Sequence, residues 1–280
     1  MASLDFDPTR PPATPRPAAT LVLLRDARDG LEVVVMQRSH QSSFMGGAIV
    51  FPGGRVETHD GRDAWGTEVV TLGEGAWWDD EGFAARVAGS REALEEVSIV
   101  PLTGGALRHE EAETLRASAR QPAPALQAAL AGLGRKLDLC SLVPLARWVT
   151  PEAESRRFDA RFLIARAPEG QEGVMDEREA IRTFWARPAS LLDDWAKGRV
   201  SLFPPTHRTL EQLAAHTTVD DALRAARGAT LDVICPRFVI DGGIPTLALP
   251  GDPLHDVRER RSPGGSRYVL RDERWIPTDP

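Results

Sequence analysis

The sequence predicts an α/β fold, and three observations predict it. Apolar runs of strand length recur at 18–24, 31–38, 47–51, 142–150 and 157–166. The stretch 81–97 instead repeats its apolar residues at helical spacing, and glycine and proline punctuate the boundaries. Strands and helices that interleave in this way build a sheet covered by helices.

Each element follows in order. Residues 1–17 carry Pro8, Pro11, Pro12, Pro15 and Pro17 among small and charged residues, and read as a disordered, extended tail. Residues 18–24 and 31–38, joined by a turn at 26–30, read as a hairpin. A further strand at 47–51 stops at Pro52-Gly53-Gly54. The stretch 58–80 lacks clear periodicity, holds Trp65, Trp77 and Trp78, and reads as a long loop or insertion. Phe83, Val87, Leu94 and Val97 place a helix over 81–97 with a charged outer face. Two helices broken at Pro122 and Pro124 account for 104–136. Strands return at 142–150 and 157–166, the second alternating at Phe158, Ala160, Phe162 and Ile164. A loop at 167–179 leads to a short strand at 183–186 and a helix from Pro188 to about Lys197. Beyond Pro204-Pro205, residues 206–227 read as two short helices and 230–280 as β-like pieces. The domain reading is a tail over 1–17, a main domain over 18–200 with insertions at about 58–80 and 104–136, and a C-terminal extension over 201–280 packed on that core.

Composition excludes several classes. With 34 Lys and Arg against 41 Asp and Glu, the 280-residue chain carries a net charge of −7, which argues against general binding to nucleic acid or an anionic membrane. Cys140 and Cys235 lie too far apart for a CxxC pair or a zinc knuckle, and read as core residues of a reduced compartment. No apolar stretch reaches the roughly 20 residues of a membrane helix. The N-terminus lacks a secretory pattern, so a cytoplasmic location is the expectation. Neither GxxxxGK[ST] nor GxSxG appears, and the histidines lack HxH or HExxH spacing.

The informative stretch is Arg91-Glu92-Ala93-Leu94-Glu95-Glu96-Val97. On a helix, Glu92, Glu95 and Glu96 crowd one side, where like charges repel by a few tenths of a kcal/mol per pair. A hard divalent cation reverses that sign, since carboxylate oxygens are what Mg²⁺ takes. Upstream, Gly53 and Gly54 follow a strand and permit a tight backbone approach.

Together these residues resemble the Nudix box, G-x5-E-x7-R-E-U-x-E-E-x-G-U with U aliphatic. Gly54 matches the first glycine, and Arg91, Glu92, Ala93, Glu95, Glu96 and Ile99 match the helical end. The first glutamate of the box falls on Asp60, and 30 residues separate it from Arg91 where the family has 7, an insertion of 23. Ser98 stands at the last glycine. A later family element, with a Glu six residues before a Trp, matches Glu179 and Trp185; Glu177 is close enough to take that part instead. Arg38-Ser39, Phe44-Met45, Gly47 and 50–54 resemble the branch that contains the peroxisomal coenzyme A diphosphatases, although Ser42 and Ser43 stand where that signature has a second arginine. Thr150-Pro151, residues 156–159 and Pro204-Pro205-Thr206 extend the match.

The resemblance implies a Nudix α/β/α sandwich with a mixed sheet, helical insertions and a C-terminal extension. It implies hydrolysis of a nucleoside diphosphate derivative, with CoA or acyl-CoA giving 3′,5′-ADP and phosphopantetheine as the leading substrate. NADH, FAD, a nucleotide sugar or capped RNA is the alternative, and a non-catalytic nucleotide-sensing module is a third. Implied metal ligands for Mg²⁺ or Mn²⁺ are Glu92, Glu95, Glu96 and the Gly54 backbone. Glu96 or Glu179 would act as base, and Arg91 would brace the glutamates. Arg38, Arg55, Arg157 and Phe44 are the substrate-binding candidates. Dimerisation is common in the family, so a homodimer is possible.

Overall fold

The computed structural model describes residues 6–38, 47–71, 78–121, 123–171, 180–229 and 231–280. Strand β1 (Arg16–Ala27) holds Leu21, Val22, Leu23 and Leu24 fully buried, as a strand with both faces covered requires. It turns at Gly30, whose φ of 117° suits glycine, into β2 (Gly30–Arg38). Two short strands follow, β3 (Ile49–Val50) on β2 and β4 (Gly53–Arg55) on β1. The proline–glycine turn expected to end a strand is thus itself drawn into the sheet. The insertion contains two short 3₁₀ turns and β5 (Val69–Val70).

Helix α1 (Asp80–Val97) comes next, with Asp79 capping it by accepting from the Gly82 N–H. The 104–136 segment supplies α2 (His109–Ala119) and α3 (Ala125–Leu133). After β6 (Leu137–Asp138), which pairs with β5, the long strands β7 (Val143–Val149) and β8 (Phe158–Arg166) form an antiparallel pair. Strand β9 (Ala180–Ala186) lies against β2 and leads into α4 (Pro188–Ala196). Helices α5 (Pro204–Ala214) and α6 (Val219–Arg227) precede β10 (Val233–Ile234), which joins β7.

The main sheet is mixed. β1 runs parallel to β8 over nine residue pairs, whereas β1–β2, β2–β9 and β7–β8 are antiparallel. One face packs Leu21, Leu23, Val34 and Met36 against Ala93 and Val97 of α1. Phe83, Val87 and Leu94 on another side of α1 meet Leu115, Leu126 and Leu130 of α2 and α3. Covered on both sides, α1 is buried along most of its length. The opposite sheet face packs against Leu191, Leu210, Leu213 and Leu223 of α4, α5 and α6. Helices thus flank a mixed sheet in three layers, an α/β arrangement.

Residues 230–280 supply a second, antiparallel sheet: β11 (Arg237–Asp241), β12 (Ile244–Ala248), β13 (Arg267–Arg271) and β14 (Arg274–Thr278). Its Leu247, Tyr268 and Trp275 join the core of the main sheet. Residues 6–17 differ from the disordered tail expected of them. Phe6 bridges to Glu154 and stacks on Phe238 with ring centroids 4.5 Å apart, and the Asp7 N–H donates to the Ala153 carbonyl. Tertiary partners far along the chain hold a segment whose composition alone has no reason to fold. Cys140 and Cys235 are free thiols, both half-buried. Among the described residues, no helix is long and apolar enough to cross a membrane.

Candidate active site

The site forms where α1 passes the edge strand β4. β4 pairs with β1 so closely that a Cβ on Gly53 would stand 2.4 Å from the Ala19 carbonyl oxygen. A Cβ on Gly54 would stand 2.5 Å from the Glu92 carboxylate carbon. Both glycines are therefore required by approach distance. The freed space lets the Gly53 N–H donate to Glu96 Oε2 at 2.9 Å, a charge-assisted bond to a carboxylate that is 3 % exposed.

Of the three glutamates, the structure brings Glu92 and Glu96 to one cavity. Glu95 leans toward α2 instead: its carboxylate is 3.9 Å from Arg120 Nε, and its carbonyl accepts from Arg116 and Arg120. Residues four apart on the helix share the cavity side, while the third lies off to the flank.

Arg91 organises the carboxylates. Its Nε and Nη2 donate to Asp60 Oδ1 and Oδ2, each at 3.1 Å, and Nη1 donates to Glu92 Oε1 at 2.8 Å. Nη2 also donates to the Arg55 carbonyl at 3.0 Å, tying α1 to β4. Burial alone would lower the Arg91 pKa, but the hydrogen bonds it donates to Asp60 and the charges of Glu92 and Asp60 outweigh it and raise the pKa above its usual value. Asp60 sits in a 3₁₀ turn (Thr58–Asp60), and its Oδ2 also accepts the Glu57 N–H at 2.8 Å. The residue aligned with the first glutamate of the box is thus a buried anchor for Arg91.

Arg38 and Arg55 line the same cavity of about 460 Å³, Arg55 half-exposed and 3.4 Å from Glu57. Arg157 is placed elsewhere. Buried, it donates to the carbonyls of Thr150 at 3.0 Å and Ala13 at 2.8 Å, so its guanidinium holds the N-terminal segment to the sheet. Its neighbour Arg156 lines the cavity instead, as does Phe6, and sequence reasoning missed both. A lone aromatic in a proline-rich segment was the available signal for Phe6. Trp78 carries the Arg86 guanidinium 4.1 Å over its ring. Glu179, Glu177, Phe44 and Trp77 lie outside the described residues.

The donors at this end are oxygens, two carboxylates beside the backbone of Gly53 and Gly54, which suits a hard divalent cation. Among the described residues, no group of three or more His, Cys, Asp or Glu converges as a ready metal cluster. Glu92 and Glu96 are the pair that fits such an ion.

A mixed sheet between helix layers, with a glutamate-bearing helix held to a Gly-Gly strand by an arginine, is the arrangement expected of a Nudix-type fold. No family model matches the chain. It is similar to a Nudix hydrolase from Alicyclobacillus acidocaldarius, at 28 % identity and a TM-score of 0.64, covering 79 % of this chain and 98 % of that one. It is also similar to the acyl-coenzyme A diphosphatases NUDT19 of Homo sapiens, 24 % identical over 88 % of this chain and 75 % of that protein, and of Gallus gallus, 26 % identical over 80 % and 72 %. The solved structure and the curated relatives together support a Nudix hydrolase that resembles the coenzyme A diphosphatase branch.

Proposed function

We propose that this hydrolase cleaves the diphosphate linkage of CoA or an acyl-CoA, with Mg²⁺ or Mn²⁺, to give 3′,5′-ADP and (acyl)phosphopantetheine. The observation that carries the reading is the joint placement of Glu92 and Glu96 in one cavity, against Gly54 and hydrogen-bonded to Gly53. The diphosphatases named above support the choice of substrate.

Glu92 and Glu96 would hold the cation, with the Gly54 backbone beside them and Glu95 as a further ligand through water. Bound there, a divalent cation supplies charge neutralisation at the phosphoryl oxygens and acidifies water. Glu96 or Glu179 accepts the proton of the attacking water. Arg91 touches no substrate; it fixes Glu92 while Asp60 fixes Arg91. Arg38 and Arg55 attract the diphosphate, and Arg156 adds a third cation at the same cavity.

The test is a panel of CoA, NADH, FAD and ADP-ribose with Mg²⁺, run on the wild type and on Glu96→Gln. CoA is expected to be the best substrate, and Glu96→Gln to lower turnover by about 10²–10⁴-fold. Turnover of none of the panel, or turnover that Glu96→Gln leaves intact, overturns the reading.

A further inference from the structure

The carboxylate end accounts for part of the cavity. The remainder is walled mainly by hydrocarbon, with Glu154 and Arg156 as its charged members, and the sheet register explains the floor. The pairs Ala18↔Ala160 and Thr20↔Phe162 put small β1 residues beside alternate β8 residues, so Phe158 and Phe162 flank Ala160 along the cavity. Phe203, Pro204 and Pro205 supply a second wall where α5 begins.

That helix start has an unusual consequence. A helix N-terminus ordinarily offers unpaired N–H groups to an anion. Here the first two helical residues are prolines, which have no N–H, and the N-cap is Phe203 with no side-chain hydrogen bond. A phosphate gains little at this end. Arg55, by contrast, directly follows Gly54, and Arg38 donates its N–H to Ala48 in the segment that leads there. Away from Glu92 and Glu96 the lining is thus mostly apolar, although Glu154, which bridges to Phe6, and Arg156 also reach the cavity.

The far wall comes from outside the catalytic domain. Leu247 of β12 lines it, paired with Phe238 of β11, and Phe6 stacks on Phe238 while meeting the Trp275 ring edge-on at 5.9 Å. The N-terminal segment and the C-terminal sheet therefore meet over the hydrolytic core.

Resting on the diphosphatase reading above, we infer that this end is a specificity subsite for an apolar chain on the second arm of the diphosphate. Phe6, Phe203 and Leu247 are its specificity-determining residues. A second nucleoside or a sugar placed against Phe6, Phe203 and Leu247 has many hydroxyls and ring nitrogens to satisfy and, beyond Glu154 and Arg156, mostly hydrocarbon to meet, which disfavours it. A pantetheine arm with its acyl group keeps hydrocarbon against hydrocarbon.

Phe203→Asp tests this directly. Aspartate is a favoured N-cap and can accept from the N–H of Thr206, so the helix start is retained while a charge enters the apolar end. The readout is the ratio of kcat/KM for butyryl-CoA to that for ADP-ribose, with melting temperature as a check on folding. A fall of at least tenfold in that ratio, carried mainly by KM for butyryl-CoA, is expected. Phe6→Ala provides a second variant on the strap: widening the wall is expected to shift preference from butyryl-CoA toward octanoyl-CoA by at least threefold. If folded Phe203→Asp loses both substrates equally, or either variant leaves its ratio unchanged, the subsite is overturned while the diphosphatase reading stands. Wild-type protein that cleaves ADP-ribose but neither CoA nor butyryl-CoA overturns both, and that result is visible before any variant is made.

Discussion

Arg91 and Asp60 form a two-pronged ion pair, Nε to Oδ1 and Nη2 to Oδ2 at 3.1 Å each, with Asp60 fully buried. The pair joins the start of the box to its helical end across 30 intervening residues. Removing the carboxylate strands a buried cation, which typically costs about 3–5 kcal/mol. Asp60→Ala is therefore expected to lose roughly that much stability in urea unfolding, and to lose turnover as well, because Arg91 no longer holds Glu92 in place. A stability change below about 1 kcal/mol would contradict the anchoring role.

The two adjacent glycines are expected to fail differently. A methyl on Gly53 meets the Ala19 backbone carbonyl, which cannot move without distorting β1. Gly53→Ala should destabilise by about 1–3 kcal/mol, the usual range for overpacking. A methyl on Gly54 meets the end of the Glu92 side chain, which can rotate away. Gly54→Ala should leave stability nearly unchanged yet lower turnover by at least about tenfold, a loss of about 1.4 kcal/mol of transition-state stabilisation, because Glu92 is displaced from the cavity. Equal effects on unfolding and activity at both positions would refute the distinction.

The site was legible in the sequence where its chemistry is local. Arg91, Glu92 and Glu96 lie on one helix, so spacing alone puts them near each other. Spacing does not separate Glu95 from them: at about 100° per residue, Glu95 and Glu96 fall on opposite sides of Glu92, and the position of β4 decides which side faces the cavity. Arg156 and Arg157 pose a similar problem, because they enter a strand from a turn and their facing depends on the β8 register. The joint placement of Phe6 and Leu247 was hidden for a simpler reason. Phe6 stacks on Phe238, which pairs across the strands with Leu247 more than 200 residues from Phe6, and no local pattern encodes that meeting. The strands of 230–280 were legible as apolar pieces, but their seat over the cavity is a long-range property.

Ser98 closes α1 at φ 56° and ψ 27°, the left-handed region that glycine adopts freely. The resemblance to the box places glycine at this position, and the backbone shows the reason. For an L-residue that conformation costs roughly 1–2 kcal/mol, and the buried Ser98 hydroxyl has no hydrogen-bond partner among the described residues. Against this stands the extra chain entropy that glycine adds to the unfolded state, roughly 0.4–1 kcal/mol. Ser98→Gly should therefore stabilise by about 1 kcal/mol, read as a rise in melting temperature of about 2–4 °C with turnover retained. A fall in melting temperature would show that the hydroxyl contributes more than the strain costs.

His207 on α5 makes stability depend on pH. Its Nδ1 lies 3.2 Å from the Tyr268 hydroxyl and 3.6 Å from Glu211, and its ring packs edge-on to Trp195. Burial, aided by the neighbouring Arg208 charge, pushes its pKa down from 6.5 to about 4. The folded pKa lies below the unfolded one, so between these values the unfolded chain binds the extra proton and stability rises with pH. The contribution is complete above about pH 6.5 and shrinks as pH falls toward 4, by on the order of 3 kcal/mol in all. Glu211, pushed up by the same burial, works with the opposite sign just above its ordinary range, since there the folded state holds the proton. Subtracting the urea-unfolding profile of His207→Gln from that of the wild type isolates the histidine. The difference should grow from pH 4 to pH 6.5 and then level off, and a flat difference would show that His207 is charged in the folded protein.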